Sequence, residues 1–110
     1  MDCLFCRIAA GEIPSRKVYE DDQMLAFHDI APVAPTHILL IPKAHIGGAD
    51  ELTAENADVV AHIFAMIPKI AAEAGISAYR VATNNGEEAG QTVRHLHFHL
   101  LGGRTLGEMG

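Results

Sequence analysis

The sequence predicts an α+β domain: a five-stranded antiparallel sheet with one long helix and one short N-terminal helix. Three observations predict it. Short apolar segments are separated by tight turn signals, as in hairpins. Only the stretch after residue 53 sustains a helical period. The final segment, His95-Leu96-His97-Phe98-His99-Leu100-Leu101, alternates strictly, which is the period of a strand. With 110 residues the chain is one domain, able to bury roughly 60–70% of its unfolded surface.

Residues 3–10 form the short helix; Gly11 is placed to end it and Pro14 prevents its continuation. Residues 16–20 and 24–28 read as strands joined at Asp21-Asp22, a hairpin turn. Residues 30–35 form a loop punctuated by Pro32 and Pro35, and residues 37–42 a third strand. Thr53 is the expected N-cap of the long helix, with Glu55 and Asn56 in its first turn. Val60, Phe64, Ile67, Ile70 and Ala71 mark its apolar face, Pro68 should kink or split it, and Gly75 ends it. Residues 79–83 read as a strand, 84–92 as a glycine-containing loop, and 93–101 as the last strand.

Composition removes several function classes. Fourteen acidic against eight basic side chains give a net charge of −6 with no basic block, a poor match to a nucleic-acid backbone. An apolar fraction of 49% argues against disorder, and no apolar run approaches bilayer length. The N-terminus carries no basic region followed by an apolar stretch, so a cytoplasmic protein without membrane contact is expected. The two cysteines sit as Cys3-x-x-Cys6, which in a reducing compartment reads as a metal or redox pair. Redox chemistry is the weaker reading, because no strand precedes Cys3.

Histidine is over-represented, with seven in the chain. On a strand, His95, His97 and His99 share one face at intervals of about 6.6–6.8 Å, with Leu96, Phe98 and Leu100 on the other. Such a face suits proton transfer, metal binding or nucleophilic attack. Two chemistries compete: a catalytic metal site held by alternate histidines, and phosphoryl or nucleotidyl transfer with the middle histidine as nucleophile. The preceding loop, Asn84-Asn85-Gly86-Glu87-Glu88-Ala89-Gly90-Gln91-Thr92, favours the second. Its glycine turns, amide and hydroxyl can set donors around a phosphate.

The His95–Leu101 segment resembles the histidine triad (HIT) pattern, three histidines alternating with apolar residues. So do Glu12-Ile13-Pro14, Val18-Tyr19-Glu20-Asp21-Asp22, Ala34-Pro35-Thr36-His37, Pro42-Lys43-Ala44-His45 and Gly90-Gln91-Thr92-Val93. A single HIT domain over residues 1–110 is therefore expected. Phe27-His28-Asp29-Ile30 and Gly102-Gly103-Arg104 look like the histidine triad nucleotide-binding branch, the purine nucleoside phosphoramidases. That resemblance implies hydrolysis of the P–N bond in AMP linked to an amine, through a nucleotidyl-histidine. Dinucleoside polyphosphate hydrolysis or a non-catalytic nucleotide-binding regulator are the alternatives, and a zinc-dependent hydrolase is a third.

By the same resemblance His97 is the nucleophile, His99 stabilises the phosphate, Thr92 offers a hydroxyl near the leaving group, and His37 lies near the triad. Asn84 and the N–H groups of Gly90, Gln91 and Thr92 bind phosphate oxygens. Asp29 accepts the ribose hydroxyls, although an ordinary turn aspartate is the plainer reading. Phe5, Ile8, Ile13, Phe27, His28 and Ile30 line the purine pocket, with plain core the alternative for Phe27. His62 lies outside every motif and reads as exposed and inert. A structural zinc is implied on Cys3, Cys6, His45 and His95. The family also implies a homodimer joined edge to edge through residues 79–83 and the long helix, with the tail, residues 105–110, reaching towards the partner's pocket. For His97 to attack, one ring nitrogen should donate to a backbone carbonyl and leave the other's lone pair free.

Overall fold

Strands with apolar residues at every position need cover on both faces, and the two helices provide it. The computed structural model describes residues 3–109; Met1, Asp2 and Gly110, the end of the expected tail, lie outside the described residues. The elements are α1 (Leu4–Ala9), β1 (Lys17–Glu20), β2 (Met24–His28), β3 (Thr36–Pro42), α2 (Asp58–Glu73), β4 (Tyr79–Ala82) and β5 (Phe98–Gly102). Short 3₁₀ turns occupy Ala49–Glu51 and Glu87–Ala89. The strands form one five-stranded sheet in the order β1-β2-β3-β5-β4, every neighbouring pair antiparallel. This is the α+β architecture the sequence predicts.

Alternation sorts the strand residues between two cores. Met24, Ala26, Ile38, Leu40, Phe98 and Leu100 meet Ile63, Ile67, Ile70 and Ala71 of α2. Leu25, Phe27, Leu39 and Ile41 meet Cys3, Phe5 and Ile8 of the α1 segment. The second face is the one that carries the histidines.

Four local expectations change. The last strand begins at Phe98, not at residue 93. Leu40 pairs with Phe98, so two further residues would set Leu96 opposite Pro42, which has no N–H to offer. The Leu96 N–H goes instead to Ile46 O at 2.6 Å. Second, α2 begins at Asp58. Thr53 caps an earlier turn, accepting the Glu55 N–H at 3.2 Å, while Asn56 Oδ1 accepts the Thr53 N–H at 2.7 Å; these side-chain bonds compete with a helical start. Third, Pro68 does not split α2. Burial of Ile63, Ile67 and Ile70, about 1.5–3 kcal/mol each, outweighs the roughly 3 kcal/mol a helical proline costs. Phe64 lies half exposed, edge-on to Phe98, and Ile63 takes the core position. Gly75 ends the helix in the left-handed region, φ +79°, with Ile76 N–H on Ala71 O.

His62 is not idle. Its Nε2 lies 2.6 Å from Asp21 Oδ2, which also accepts the Tyr19 hydroxyl at 2.7 Å. Asp21 Oδ1 accepts the N–H groups of Gln23 and Met24. Burial pulls the Asp21 carboxyl upward, but the Tyr19, His62 and backbone donors outweigh it and hold it well below the usual carboxylate range. The cluster pins α2 to the β1–β2 turn.

Candidate active site

The three histidines occupy two structural settings. His99 lies within β5, opposite Leu39 and Ala82. His95 ends a bend, its N–H on Val93 O at 2.8 Å, and His97 lies in unladdered chain before the strand, where the Thr83 hydroxyl donates to His97 O at 2.7 Å. His97 and His99 still share a face, their ring centroids 5.1 Å apart. The Phe5 ring packs edge-on to His97 at 4.9 Å.

Backbone groups fix the imidazole tautomers, because an amide N–H only donates and a carbonyl only accepts. His97 Nδ1 sits 2.6 Å from His95 O, so Nδ1 carries the proton and the Nε2 lone pair is free, as the sequence reasoning required. His37 Nδ1 accepts the Val33 N–H at 3.1 Å. Neutral His37 therefore carries its proton on Nε2, 2.9 Å from His99 Nδ1. His99 Nδ1 is then an acceptor and its proton lies on Nε2. Neutrality is supported physically: burial pushes the His37 pKa down against the pull of Asp29. His99 is lowered to about 4 by burial, then by the neighbouring His97 and His37. Adjacent histidines thus hold opposite tautomers, a bare nitrogen on His97 and a donor on His99.

Asp29, His37 and His99 bring three potential metal donors within 4.8 Å of one another. The tautomers argue against a metal there, since His37 Nε2 holds a proton while Nδ1 accepts from Val33. Cys3, Cys6, His45 and His95 form a second group within 4.8 Å, and here the chemistry fits. His45 Nδ1 is 3.2 Å from Cys6 Sγ, and His95 Nδ1 is 3.4 and 3.5 Å from the two sulfurs. His95 Nε2 donates to Pro42 O at 2.8 Å, which turns the Nδ1 lone pair onto the cysteines, the outer support expected of a ligating histidine. Burial and the adjoining Cys3 push the Cys6 thiol up, and burial pushes His95 down. Two thiols and two imidazoles make a four-donor set of the composition that suits a structural zinc site.

A cavity of about 330 Å³ adjoins the His37–His99 pair, lined by Ile8, Arg16, Phe27, His28, Asp29 and Ile30 among others. Five of the residues expected around a nucleotide therefore converge. Phe5 and Ile13 do not line it: Phe5 lies between Phe27 and His97, and Ile13 packs against the α1-side core. Ile30 stands fully exposed at the rim. Ser15 Oγ is buried in the wall without a hydrogen-bond partner among the described residues. Asp29 Oδ1 closes a turn on the Ala31 N–H at 2.8 Å, while Oδ2 lies 3.4 Å from His37 Nε2.

The 84–92 loop changes one expectation. The N–H groups of Gly90 and Gln91 do not face a ligand, because Glu87 O and Gly86 O accept them at 2.9 and 3.0 Å. The 3₁₀ turn consumes its own donors and leaves those of Thr92. The buried Gln91 side chain instead ties the loop together through Gly47 O, Val93 O, Gly86 N and Arg94. Asn85 is likewise occupied, by Asp50 N and Arg94. The Asn84 amide lies beside Gly90, with no hydrogen bond among the described residues. Thr92 opens onto a second cleft of about 600 Å³ that also meets Cys3, Leu4, His45, Glu51 and Arg94. Sequence reasoning missed Val33, Pro42 O and Thr83; their roles run through backbone atoms or a distant strand, which no local motif signals.

Known proteins agree with this architecture. The chain is 50% identical over 106 residues to a HIT-like protein of Synechococcus elongatus, covering 96% of this chain and 93% of that one. The fold matches a histidine triad protein from Clostridium difficile with a TM-score of 0.95 and 50% identity, over 100% of this chain and 97% of that chain. It matches a HIT family hydrolase from Clostridium thermocellum at TM-score 0.94 and 45% identity, covering 98% and 96%. A histidine triad nucleotide-binding protein from Candida albicans follows at TM-score 0.81 and 32% identity, covering 99% and 86%. The family model described as HIT domain spans residues 10–106, and with these relatives it establishes that the chain belongs to the HIT domain family.

Proposed function

We propose that the protein is a purine nucleotide-binding hydrolase that cleaves the P–N bond of adenosine phosphoramidates through a nucleotidyl-histidine. One observation carries this reading: His97 presents a bare Nε2 beside a His99 Nε2–H, each tautomer set by a backbone group. Nucleophilic attack needs the first and a developing phosphoryl charge needs the second. The neighbours named as a hydrolase and as a nucleotide-binding protein are consistent with both halves of the proposal. His97 Nε2 forms a bond to phosphorus as the P–N bond breaks, and the leaving nitrogen takes up a proton from water on the Thr92 side. A water then attacks phosphorus, giving its proton to solvent, and His97 departs with its Nε2 lone pair restored. His99, the Thr92 donors and the Asn84 amide hold the phosphate oxygens; Asp29 takes the ribose, and the 330 Å³ cavity the purine. The cleft beyond Thr92 receives the amine.

The Cys3, Cys6, His45 and His95 set would hold a structural zinc that ties the α1 segment to the histidine segment. The protein would act as a homodimer. β4 is an open sheet edge, with Tyr79 exposed on it and Phe64 exposed on α2, and Arg80 Nη2 draws Gly107 O of the tail to within 2.7 Å of that edge. The chemical proposal is tested by mixing excess protein with an adenosine phosphoramidate and quenching a single turnover in alkali, where a histidine–phosphorus bond persists. An adenylylated peptide containing His97 is expected; turnover with label on no histidine refutes it. Light scattering at micromolar concentration tests the dimer, which a monomer mass would remove.

A further inference from the structure

The segment before β3 meets His37 through the Val33 N–H yet is lightly tethered, Ala34 being the one buried residue of 32–35. Among the described residues, 32–35 make only two hydrogen bonds, both at Val33. Pro32 and Pro35 have no N–H to give. The Val33 side chain is 65% exposed and Ile30 wholly so, so apolar burial does little to hold Val33 in place. Its N–H is the group that fixes the His37 tautomer. Its carbonyl is held from the far end of the chain: Arg104 Nη2 donates to Val33 O at 3.0 Å, and Arg104 Nη1 donates to Thr105 O at 2.9 Å.

The Gly102-Gly103-Arg104 run makes this reach possible. A Cβ on Gly103 would lie 2.9 Å from Pro35 Cβ and 3.4 Å from Thr36 N, so only a glycine lets the two backbones touch here. The chain leaving β5 therefore crosses directly against the loop entering β3, and the guanidinium closes over Val33.

We propose that Arg104 is a positioning residue that acts through Val33: by holding the Val33 carbonyl it keeps the Val33 N–H on His37 Nδ1, and so keeps the proton of His99 on Nε2. Without that grip the loop can withdraw the N–H. His37 is then free to carry its proton on Nδ1, His99 answers with a proton on its own Nδ1, and a bare Nε2 faces the phosphate. The donor becomes a repelling lone pair with no catalytic side chain altered. The consequence for turnover rests on the phosphoramidase reading; the tautomer consequence does not.

The test is Arg104→Met, which keeps the aliphatic stem, with Arg104→Lys as the conservative partner. Imidazole nitrogen NMR on the full chain reads the tautomers directly. Wild type is expected to show His37 and His99 protonated on Nε2 and His97 on Nδ1. In Arg104→Met, His37 and His99 should become mixtures while His97 stays unchanged, because its bond to His95 O does not pass through the loop. Gly103→Ala, which retains the guanidinium but drives a Cβ against Pro35, should shift the same two residues. With an adenosine phosphoramidate, Arg104→Met should lower kcat about tenfold, a fraction of the loss of an entire oxyanion donor. KM should stay within about twofold, as for an interaction made in the transition state, and Arg104→Lys should recover part of the loss. Unchanged His37 and His99 tautomers in Arg104→Met overturn the proposal, whatever the rate does. Mixed tautomers with unchanged kcat overturn its catalytic half. If wild type itself turns over no phosphoramidate, the functional reading has failed, and the NMR result alone decides the role of Arg104.

Discussion

His97→Ala separates chemistry from binding more sharply than any other substitution. The imidazole is 6% exposed, donates to His95 O at 2.6 Å and lies edge-on to Phe5 at 4.9 Å. Losing the hydrogen bond removes about 1 kcal/mol and the ring contact about 0.5–1.5 kcal/mol. A partly filled cavity brings the total to roughly 2–3 kcal/mol. At about 4–8 °C per kcal/mol for a domain near this size, Tm falls by roughly 10–20 °C, so rates are compared at a temperature where circular dichroism shows both proteins folded. Turnover should fall by 10³ or more, about 4 kcal/mol, as for other nucleophiles that act as a unit with their neighbours. Calorimetric AMP binding should change by no more than a few-fold, because Asp29, the purine cavity, Asn84 and Thr92 are untouched. A variant that keeps turnover within tenfold of wild type, with no adduct trapped in wild type, would falsify the covalent route and revive a metal-centred one.

Three further outcomes follow from the geometry. Cys3→Ser should abolish stoichiometric zinc by metal analysis and lower Tm more than it lowers kcat; zinc-free wild type purified without chelator refutes the metal assignment. His99 should titrate by NMR with a midpoint near pH 4, and since its folded pKa lies below its unfolded value, stability should rise with pH between about 4 and 6.5; a midpoint near 6.5 contradicts the burial argument. His62→Ala should cost about 1 kcal/mol in urea unfolding, a partly solvated charged hydrogen bond, with kcat unchanged. Asp21 is held low in the fold, so that cost is present above the ordinary carboxylate range and shrinks in acid; an unchanged midpoint at pH 7 refutes the pin.

The sequence disclosed what is encoded locally. β2 and the hairpin turn at Asp21 were legible because a short apolar run and the turn signal beside it are properties of a few neighbouring residues. The Cys3, Cys6, His45 and His95 cluster was half legible: Cys3-x-x-Cys6 announces two donors, but His45 and His95 came only from family likeness. Nothing near residue 62 names residue 21, and nothing near residue 33 names residue 37 as a partner for its N–H. The true start of β5 was hidden because alternation in His95–His99 does not reveal that Pro42 on the opposite strand ends the ladder. The overcounted donors of Gly90 and Gln91 have the same origin, since a 3₁₀ turn that absorbs its own N–H groups reads in sequence like a loop that offers them.

β5 follows the other four strands in the chain and yet lies inside the sheet, between β3 and β4. While the chain is being synthesised, β1, β2 and β3 can pair in order, but β3 then shows an unpaired edge running through Ile38, Leu39 and Leu40. β4 has no neighbour at all until residues 98–102 emerge and slot between them. Loss of residues 98–102 would therefore do more than shorten the chain: it would divide the sheet at β3 and leave an apolar edge open to other chains. Cleavage of the chain ahead of β5 should accordingly yield aggregates rather than a shortened domain, and the histidine site needs β5 in place, because His99 lies within it.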